Sequence, residues 1–250
     1  MGTAGRIEIL PDVAGVVTRS RALIVERLQT AIAERGIATI ALSGGSTPQP
    51  LYEQLATENL PWEKIHLFWG DERYVPYDHP DSNYRMVKRA WIDRVGLPSE
   101  NIHPMPTQFA DPASAAIQHE ADLRIFFTTY FADSPPTEWP ALDVILLGMG
   151  DDAHTASLFP GTAALQVRDR WITVGEKSGQ PRLTFTIPLI NAARSVIFML
   201  AGANKQAALQ HVFALEADDF LYPSRFIQPQ GELWWIMDQA AAQGLPETMA

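Results

Sequence analysis

Short, continuous apolar runs alternate along this chain with longer stretches whose apolar residues recur at helical spacing. The clearest such stretch covers residues 13–35, and Gly36 supplies its stop. On this pattern, helices are predicted over residues 13–35, 48–56, 83–95, 112–131, 204–215 and 238–243. Strands are predicted for the apolar runs 37–42, 65–69, 144–147, 171–174, 183–187, 196–200 and 233–237. At the second helix, Pro48 suits the first turn, and Ser46 or Thr47 would cap it.

Strands that alternate with helices predict an α/β fold: a mostly parallel, Rossmann-like sheet with helices on both faces. The 250 residues contain no linker-like segment and no repeat, so we expect a single domain over 1–250, with room for a small sub-lobe. Ligands of such sheets bind beyond the carboxyl ends of the strands. Four polar segments directly follow predicted strands and should meet at one rim: 43–48, 70–73, 148–154 and 202–205.

Composition narrows the classes of function open to such a fold. Without cysteine, the chain can form neither disulfides nor a thiolate zinc site. A formal net charge of −10 argues against nucleic acid as a partner, because nucleic acid requires a basic face. There is no signal-peptide pattern and no apolar run near the ~20 residues that cross a bilayer. We therefore expect a cytoplasmic protein with no membrane partner. A monomer is favoured, although the sequence does not give the oligomeric state.

The first polar segment is a Gly-Gly turn between a predicted strand and a predicted helix. Ser43, Gly44, Gly45, Ser46 and Thr47 would present backbone N–H groups and hydroxyls at a helix N-terminus, an arrangement that suits phosphate. Taken alone, an ordinary tight turn with a capping serine explains these residues about equally well.

Cationic residues in or near the other segments are candidates for binding an anion. Arg73 offers a planar, bidentate guanidinium group to an anion or oxyanion, and Asp71 or Glu72 could position Arg73 or a substrate hydroxyl. Lys205 would stand at a helix start, where a cation opposes the helix dipole unless it faces an anion. Arg182, just before a predicted strand, is a further candidate. Each of these residues could equally be solvated.

Asp152 and His154 provide the strongest chemical signal. Histidine is the side chain best matched to proton transfer near neutral pH, and a carboxylate two residues away can orient its imidazole. Gly148 and Gly150 would let the backbone approach a ligand closely. The competing interpretation is a capped helix start, with Thr155 as a polar residue of the first turn.

The remaining histidines lack such a setting, and we interpret each as a surface or structural residue: His66, His79, His103, His119 and His211. No metal-binding spacing such as HExxH occurs, so neither a metal nor another cofactor is expected.

Taken together, these segments resemble the 6-phosphogluconolactonases, within the wider glucosamine-6-phosphate isomerase/deaminase superfamily. The matching stretches follow the family order across nearly the whole chain: 42–48 (LSGGSTP), 69–73 (WGDER), 82–83 (SN), 148–160 (GMGDDAHTASLFP), 181–186 (PRLTFT), 202–209 (GANKQAAL) and 234–241 (WWIMDQAA). Each stretch is moderately specific, whereas their occurrence in order is highly specific.

The resemblance implies hydrolysis of 6-phosphoglucono-δ-lactone to 6-phosphogluconate in the oxidative pentose phosphate pathway, without a cofactor. It makes His154 the general base that activates water, oriented by Asp152, with no covalent intermediate. Arg73 would bind substrate or stabilise the oxyanion. Phosphate would sit on the Ser43–Thr47 loop, with Arg182 and Lys205 as cationic partners. Which cation meets phosphate and which meets the carbonyl stays open.

One departure from the family pattern is Ala153, which stands where the family usually has glycine. If this position needs a positive φ, alanine would strain the loop by roughly 1 kcal/mol. An inactive relative is therefore one alternative. A second alternative is a glucosamine-6-phosphate deaminase, but deaminase relatives carry a glutamate five residues after the histidine, where this chain has Phe159.

A third alternative is a sugar-phosphate sensor domain of a transcription regulator, which binds without catalysis on a related fold. Such regulators carry an N-terminal helix-turn-helix. Here the first predicted strand begins at about residue 37, which leaves no room for that motif, and the net charge also opposes DNA contact.

Overall fold

The structure is a computed structural model that describes residues 5–131 and 138–245. In these ranges the strands are β1 (Arg6–Leu10), β2 (Ala38–Leu42), β3 (Ile65–Trp69), β4 (Asp71–Arg73), β5 (Ile102–His103), β6 (Val144–Leu147), β7 (Ile172–Lys177), β8 (Gln180–Phe185), β9 (Ser195–Leu200) and β10 (Glu232–Asp238). The α-helices are α1 (Val13–Arg35), α2 (Gln49–Leu55), α3 (Asn83–Ala90), α4 (Pro112–Tyr130), α5 (Ile187–Asn191), α6 (Gln206–Phe213) and α7 (Gln239–Ala242).

A seven-stranded sheet of order β1-β10-β9-β6-β2-β3-β5 lies at the centre of the fold, and each of its strand pairs is parallel. Every residue of β2, β3, β6 and β9 is buried. Successive side chains of a strand point to opposite faces, so these strands are covered on both sides. The predicted mostly parallel α/β sheet is confirmed.

The edge strand β1 is absent from the predicted elements. Its five residues, RIEIL, alternate only briefly between apolar and charged side chains, and it pairs in parallel with β10. Glu8 in β1 accepts hydrogen bonds from the Arg19 guanidinium of α1 at 2.5 and 2.7 Å. Charged residues are common on edge strands, where they make a short apolar pattern hard to recognise.

A separate antiparallel sheet of order β4-β8-β7 contains two of the predicted strands, 171–174 and 183–187. Its third strand, β4, coincides with the polar segment after β3, which the sequence analysis does not predict as a strand. Because only Gly70 separates β3 from β4, the chain passes from the main sheet into the small one at the rim where the polar segments meet.

Several details differ from prediction: the strand predicted over 183–187 ends at Phe185, and the short helix α5 follows it. The helix predicted over 83–95 ends at Ala90 and is followed by a 3-10 turn at Ile92–Arg94, and a 3-10 turn at Ala203–Lys205 precedes α6. The predicted cap of α2 by Ser46 or Thr47 is wrong, because Pro48 occupies the N-cap position and no side chain caps the helix.

No helix in the two described ranges is long and apolar enough to span a membrane.

Candidate active site

The four polar segments meet at the carboxyl edge of the parallel sheet, as predicted, and line one cavity of about 250 Å³. Of the site residues predicted from the sequence, all but Asp152 and Glu72 lie in the cavity wall. Those in the wall are Ser43, Gly44, Gly45, Ser46, Thr47, Asp71, Arg73, His154, Arg182 and Lys205.

The Ser43–Thr47 loop has its shape because two glycines allow it. Gly45 has a φ of 102°, a conformation that favours glycine. A Cβ on Gly44 would lie 1.8 Å from the Asn83 side-chain oxygen, so only glycine lets these two residues approach. At the base of the loop, the Tyr52 hydroxyl donates to the Ser43 carbonyl at 2.7 Å and accepts from the Ser43 N–H at 3.0 Å.

The loop keeps a set of unused hydrogen-bond donors. Within the described residues, the backbone N–H groups of Gly44, Gly45, Ser46 and Thr47 donate to no backbone carbonyl. Because neither Ser46 nor Thr47 caps α2, their hydroxyls also remain available. Several free N–H groups on one side of a loop form a concave anion-binding surface.

Asp152 and His154 form a hydrogen-bonded pair. The imidazole Nδ1 contacts the carboxylate Oδ1, which also accepts the His154 backbone N–H at 3.1 Å. Burial acts to raise the pKa of Asp152, but the hydrogen bonds from His154 and the charges of His154 and Lys177 outweigh it and lower the pKa to about 2. The carboxylate is therefore ionised at neutral pH and accepts a hydrogen bond from the Nδ1–H group. This leaves Nε2 as the ring nitrogen that can take up a proton.

A tight turn holds this pair in place. The Gly150 N–H donates to the His154 carbonyl at 2.9 Å, and the Ala153 N–H donates to the Gly150 carbonyl at 3.2 Å. A Cβ on Gly150 would lie 2.1 Å from His154 Nδ1 and 2.5 Å from the Asp152 carboxylate. Glycine at position 150 therefore makes room for the pair.

Ala153 has a φ of 62°, so the residue that stands at the usual glycine position does adopt a positive φ. Its carbonyl accepts hydrogen bonds from the Ser224 N–H at 3.0 Å and from the Ser224 hydroxyl at 2.8 Å. These bonds oppose the strain, and the Asp152–His154 pair stays intact. No helix starts here: the Thr155 hydroxyl donates to the Gly148 carbonyl instead, so the capped-helix interpretation is wrong.

Three cationic side chains line the cavity, and none forms an ion pair with a carboxylate of the described residues. Arg73 donates from Nη1 to the Asp81 carbonyl at 2.7 Å, while its buried Nε has no partner in the part of the chain that the structure describes. Burial lowers the pKa of both Arg182 and Lys205. Half-buried cations without counter-charges are costly unless a ligand supplies the anion.

The two carboxylates beside Arg73 have different surroundings. Asp71 lies in the cavity wall, and its Oδ2 accepts the Ser157 hydroxyl at 2.6 Å. Glu72 lies outside the wall, where it accepts the backbone N–H groups of Arg73, Asn83 and Tyr84, each at 2.8 Å. Neither carboxylate binds the Arg73 guanidinium. Glu72 instead holds the Arg73 backbone and fixes the start of α3, and from outside the cavity wall it does not face a substrate hydroxyl.

Sequence reasoning did not single out Asn83, Phe159 or Lys177 as functional residues. Asn83 lines the cavity and donates from Nδ2 to the Asp71 carbonyl at 3.0 Å. The buried Phe159 ring lies 4.5 Å from the His154 ring, centroid to centroid, and the Lys177 ammonium lies 5.3 Å from the Phe159 centroid. Two of these contacts, that of Asn83 with Asp71 and that of Lys177 with Phe159, join segments far apart in sequence. The available signals are the family-matching stretches that contain Asn83 and Phe159, and Ser82, whose side chain caps α3 just before Asn83.

In the part of the chain that the structure describes, no group of three or more His, Asp or Glu side chains is placed to hold a metal ion. The expectation of a site without metal or cofactor remains a prediction.

Comparisons with known proteins identify the family. Residues 11–235 match the sequence profile described as glucosamine-6-phosphate isomerases/6-phosphogluconolactonase. The chain is 62% identical over 239 residues to the 6-phosphogluconolactonase of Nostoc sp. (strain PCC 7120), a match that covers 96% of this chain and 98% of the relative. It is 59% identical over 242 residues to that of Synechocystis sp. (strain PCC 6803), with 97% and 99% covered.

Comparison with solved structures indicates the same family. The 6-phosphogluconolactonase from Trypanosoma cruzi superimposes with a TM-score of 0.85 at 29% identity, covering 98% of each chain. That from Thermotoga maritima gives a TM-score of 0.81 at 29% identity, covering 94% of this chain and 100% of the other. A monomeric glucosamine-6-phosphate deaminase shares the fold, with a TM-score of 0.78 at 17% identity. The chain therefore belongs to the glucosamine-6-phosphate isomerase/6-phosphogluconolactonase family.

Proposed function

We propose that this protein hydrolyses 6-phosphoglucono-δ-lactone to 6-phosphogluconate in the oxidative pentose phosphate pathway. The observation that carries the proposal is the pairing of His154 with an ionised Asp152 beside a cavity that holds three unpaired cations. In a phosphorylated lactone, an activated water can attack the carbonyl carbon, and the phosphate dianion can bind the cations. Relatives that bear the name 6-phosphogluconolactonase align over nearly the whole chain, which supports the same choice.

In the first step, His154 Nε2 takes a proton from a water molecule as the water oxygen bonds to the lactone carbonyl carbon. The carbonyl electron pair moves to the carbonyl oxygen, which becomes an oxyanion. Asp152, already bonded to Nδ1, stabilises the imidazolium that forms. The low pKa of Asp152 keeps its negative charge in place throughout.

In the second step, the carbonyl re-forms and the bond between its carbon and the ring oxygen breaks. The ring oxygen takes the proton from the His154 imidazolium, so that the base returns to its starting state. The product carries a carboxyl group and a free hydroxyl, and no bond to the protein is made.

The three cations would bind the two groups of the reacting molecule that carry negative charge: the phosphate and the oxyanion that forms at the carbonyl. Arg73, anchored at the Asp81 carbonyl, would bind substrate or stabilise the developing oxyanion, because a fixed donor is effective where charge develops. The free N–H groups of the Ser43–Thr47 loop, with Arg182 and Lys205, would hold the phosphate. Asp71 would accept a substrate hydroxyl. The proposal takes the chain as one catalytic domain over 1–250, acting in the cytoplasm as a monomer, without metal or organic cofactor.

The test is hydrolysis of freshly generated 6-phosphoglucono-δ-lactone, followed by acid release, with spontaneous opening subtracted. His154→Ala should remain folded and lose at least about 99% of kcat, since general-base catalysis contributes about 10²–10⁴-fold. His211→Ala changes an exposed histidine outside the cavity wall and should behave as wild type.

A His154→Ala variant with more than about a tenth of the wild-type kcat would remove His154 from the base role. Wild-type protein without lactonase activity would contradict the proposed reaction, and glucosamine 6-phosphate would then be the next substrate to test.

A further inference from the structure

A second concave surface, of about 270 Å³, lies between α2 and α3 and carries three arginines. We call it the arginine groove, and define it by Arg85, Arg89, Arg94, Gln49, Glu53 and Pro80. It is separate from the catalytic cavity but close to it along the chain. Pro48 and Asn83 line the cavity, whereas Gln49 and Arg85 line the groove.

No guanidinium group of the groove forms an ion pair with a carboxylate of the described residues. Arg85 and Arg89 form neither an ion pair nor a side-chain hydrogen bond, and the Arg94 Nε donates to the Arg89 carbonyl at 3.2 Å. The single carboxylate of the groove, Glu53, accepts a hydrogen bond from the Gln49 amide at 3.2 Å. Arginines one helical turn apart repel each other, so α3 carries an electrostatic cost here.

This lack of partners is unusual in the molecule. Most arginines in the described ranges pair with a carboxylate, as Arg19 does with Glu8 and Arg225 with Asp219. Apart from Arg168, which donates to backbone carbonyls, the arginines without a carboxylate partner lie in the catalytic cavity or in the groove. In a chain of net charge −10, concentrating unpaired arginines at two concave surfaces favours anion binding at both.

The groove is joined to the cavity by the short segment 80–83. Pro80 lies in the groove wall, and the neighbouring Asp81 carbonyl anchors the Arg73 guanidinium in the cavity. Two residues on, Asn83 binds the Asp71 carbonyl, and two residues beyond Asn83, in α3, Arg85 lies in the groove wall. An anion that draws Arg85 towards the groove would therefore shift the Asp81 carbonyl that holds Arg73 and the Asn83 side chain that binds the Asp71 carbonyl.

We propose that the arginine groove binds a second small phosphorylated anion bearing two phosphate groups, and that this binding changes substrate affinity at the catalytic cavity. Two linked phosphates match three guanidinium groups better than one does, because each guanidinium can bind a phosphate through two parallel N–H bonds. The volume of the groove suits a small molecule rather than a polymer. The binding claim is independent of the reaction proposed for the cavity.

The probe is inorganic pyrophosphate, titrated calorimetrically at constant ionic strength into the whole protein. Wild type should show two binding events, and the double variant Arg85→Ala/Arg89→Ala should lose one of them. We expect the groove affinity to fall by about 100-fold or more, since each lost charge-assisted hydrogen bond costs about tenfold. Lys88→Ala is the matched control, because Lys88 lies on α3 next to Arg89 but pairs with Asp93 outside the groove.

A second variant separates the groove from the cavity. Arg182→Ala should weaken the cavity event and leave the groove event unchanged. Orthophosphate should bind the groove at least about tenfold more weakly than pyrophosphate, because it can engage fewer of the arginines. Circular dichroism and thermal unfolding establish that each variant is folded before the titrations are compared.

Three outcomes would overturn the proposal: a double variant that titrates like Lys88→Ala, loss of all pyrophosphate binding in Arg182→Ala, or equal affinities for orthophosphate and pyrophosphate. The coupling has its own readout in the KM of the lactone. Pyrophosphate should shift that KM in wild type and Lys88→Ala more than in the double variant. An equal shift in the double variant would place the effect of pyrophosphate at the cavity alone and refute the coupling.

Discussion

Arg73 and Arg182 lie directly opposite each other on the antiparallel strands β4 and β8. Like charges in directly opposed positions destabilise a sheet, so this pair is difficult to explain by folding alone. Burial lowers the pKa of Arg182, the charge of Asp71 opposes that shift, and the charge of Arg73 adds to it. An anion bound between the two arginines would remove the repulsion, which is in keeping with the binding roles proposed for them.

The first prediction concerns the cations assigned to phosphate. Arg182→Ala and Lys205→Ala should each raise KM for the lactone more than they lower kcat, because phosphate is held alike in ground and transition states. Without ligand, Arg182→Ala should also raise the free energy of unfolding by about 0.2–1 kcal/mol, since it relieves the repulsion from Arg73. Steady-state kinetics and urea unfolding measure the two effects.

The exposed Arg170, which pairs with Asp169, provides the control: Arg170→Ala should leave KM unchanged. If KM stayed at the wild-type value in both Arg182→Ala and Lys205→Ala, the phosphate assignment would be wrong.

The second prediction concerns Gly150. An added methyl would fall 2.1 Å from His154 Nδ1, so Gly150→Ala must displace the imidazole or the Asp152 carboxylate. We expect kcat to fall by about 100-fold, because misplacing a catalytic group by about 1 Å has this effect. Gly96→Ala adds the same methyl where nothing lies within 4 Å, and should keep wild-type kinetics. Comparable kcat values for the two variants would show that the turn is not needed to hold the pair.

Much of the fold could be predicted because buried parallel strands are continuous apolar runs, as in β2, β3, β6 and β9. The antiparallel grouping of β4, β7 and β8 could not be, because an apolar run does not specify the sheet that it joins. The edge strand β1 escaped notice because its charged residues interrupt an already short pattern.

The site, like the fold, has features that the sequence predicts and others that depend on contacts made only in the folded chain. Convergence of the polar segments follows from strand direction, and the positive φ of Ala153 follows from its place in the family pattern. The binding of Glu72 to the start of α3 joins residues ten or more positions apart in the sequence, and so do the contacts of Phe159 with Lys177 and Arg182. Such contacts become visible only when the chain is folded.

The third prediction concerns acid stability and rests on three buried or half-buried histidines. His66 Nδ1 lies 3.1 Å from His103 Nε2, and burial is the largest cause that lowers the pKa of both to about 4. Burial also lowers the pKa of His119 to about 3, and its Nε2 has no hydrogen-bond partner among the described residues. These histidines are therefore neutral in the folded protein at pH values where the unfolded chain, with a pKa near 6.5, is protonated.

Stability should be unaffected by these groups above pH 6.5, because both states are then neutral. As the pH falls from 6.5 towards 3–4, protonation of the unfolded chain alone should lower the free energy of unfolding. Between pH 6.5 and 5 the loss should be about 2 kcal/mol for His119. In urea unfolding, His119→Leu should show a correspondingly smaller loss than wild type or His211→Leu. Equal losses in all three proteins would contradict the assignment.

The last prediction concerns Phe159, which contacts both the proposed general base, His154, and a proposed phosphate-binding residue, Arg182. Its ring centroid lies 4.5 Å from that of His154, 5.3 Å from the Lys177 ammonium and 5.5 Å from the guanidinium carbon of Arg182. Cation–π contacts of this kind contribute about 0.5–2 kcal/mol. A residue that acts through its aromatic face should be replaceable by another aromatic side chain but not by an aliphatic one of similar size.

Phe159→Leu should therefore lower kcat/KM for the lactone by about 10-fold, through a lower kcat as His154 loses its support and a higher KM as Arg182 loses its contact. Phe159→Tyr keeps the face and should recover most of this loss. The comparison isolates the ring, because both variants keep a large, mostly apolar side chain at this buried position and only one of them is aromatic. Equal losses in the two would mean that packing volume matters rather than the ring, and a Leu variant with wild-type kinetics would mean that Phe159 supports only the fold.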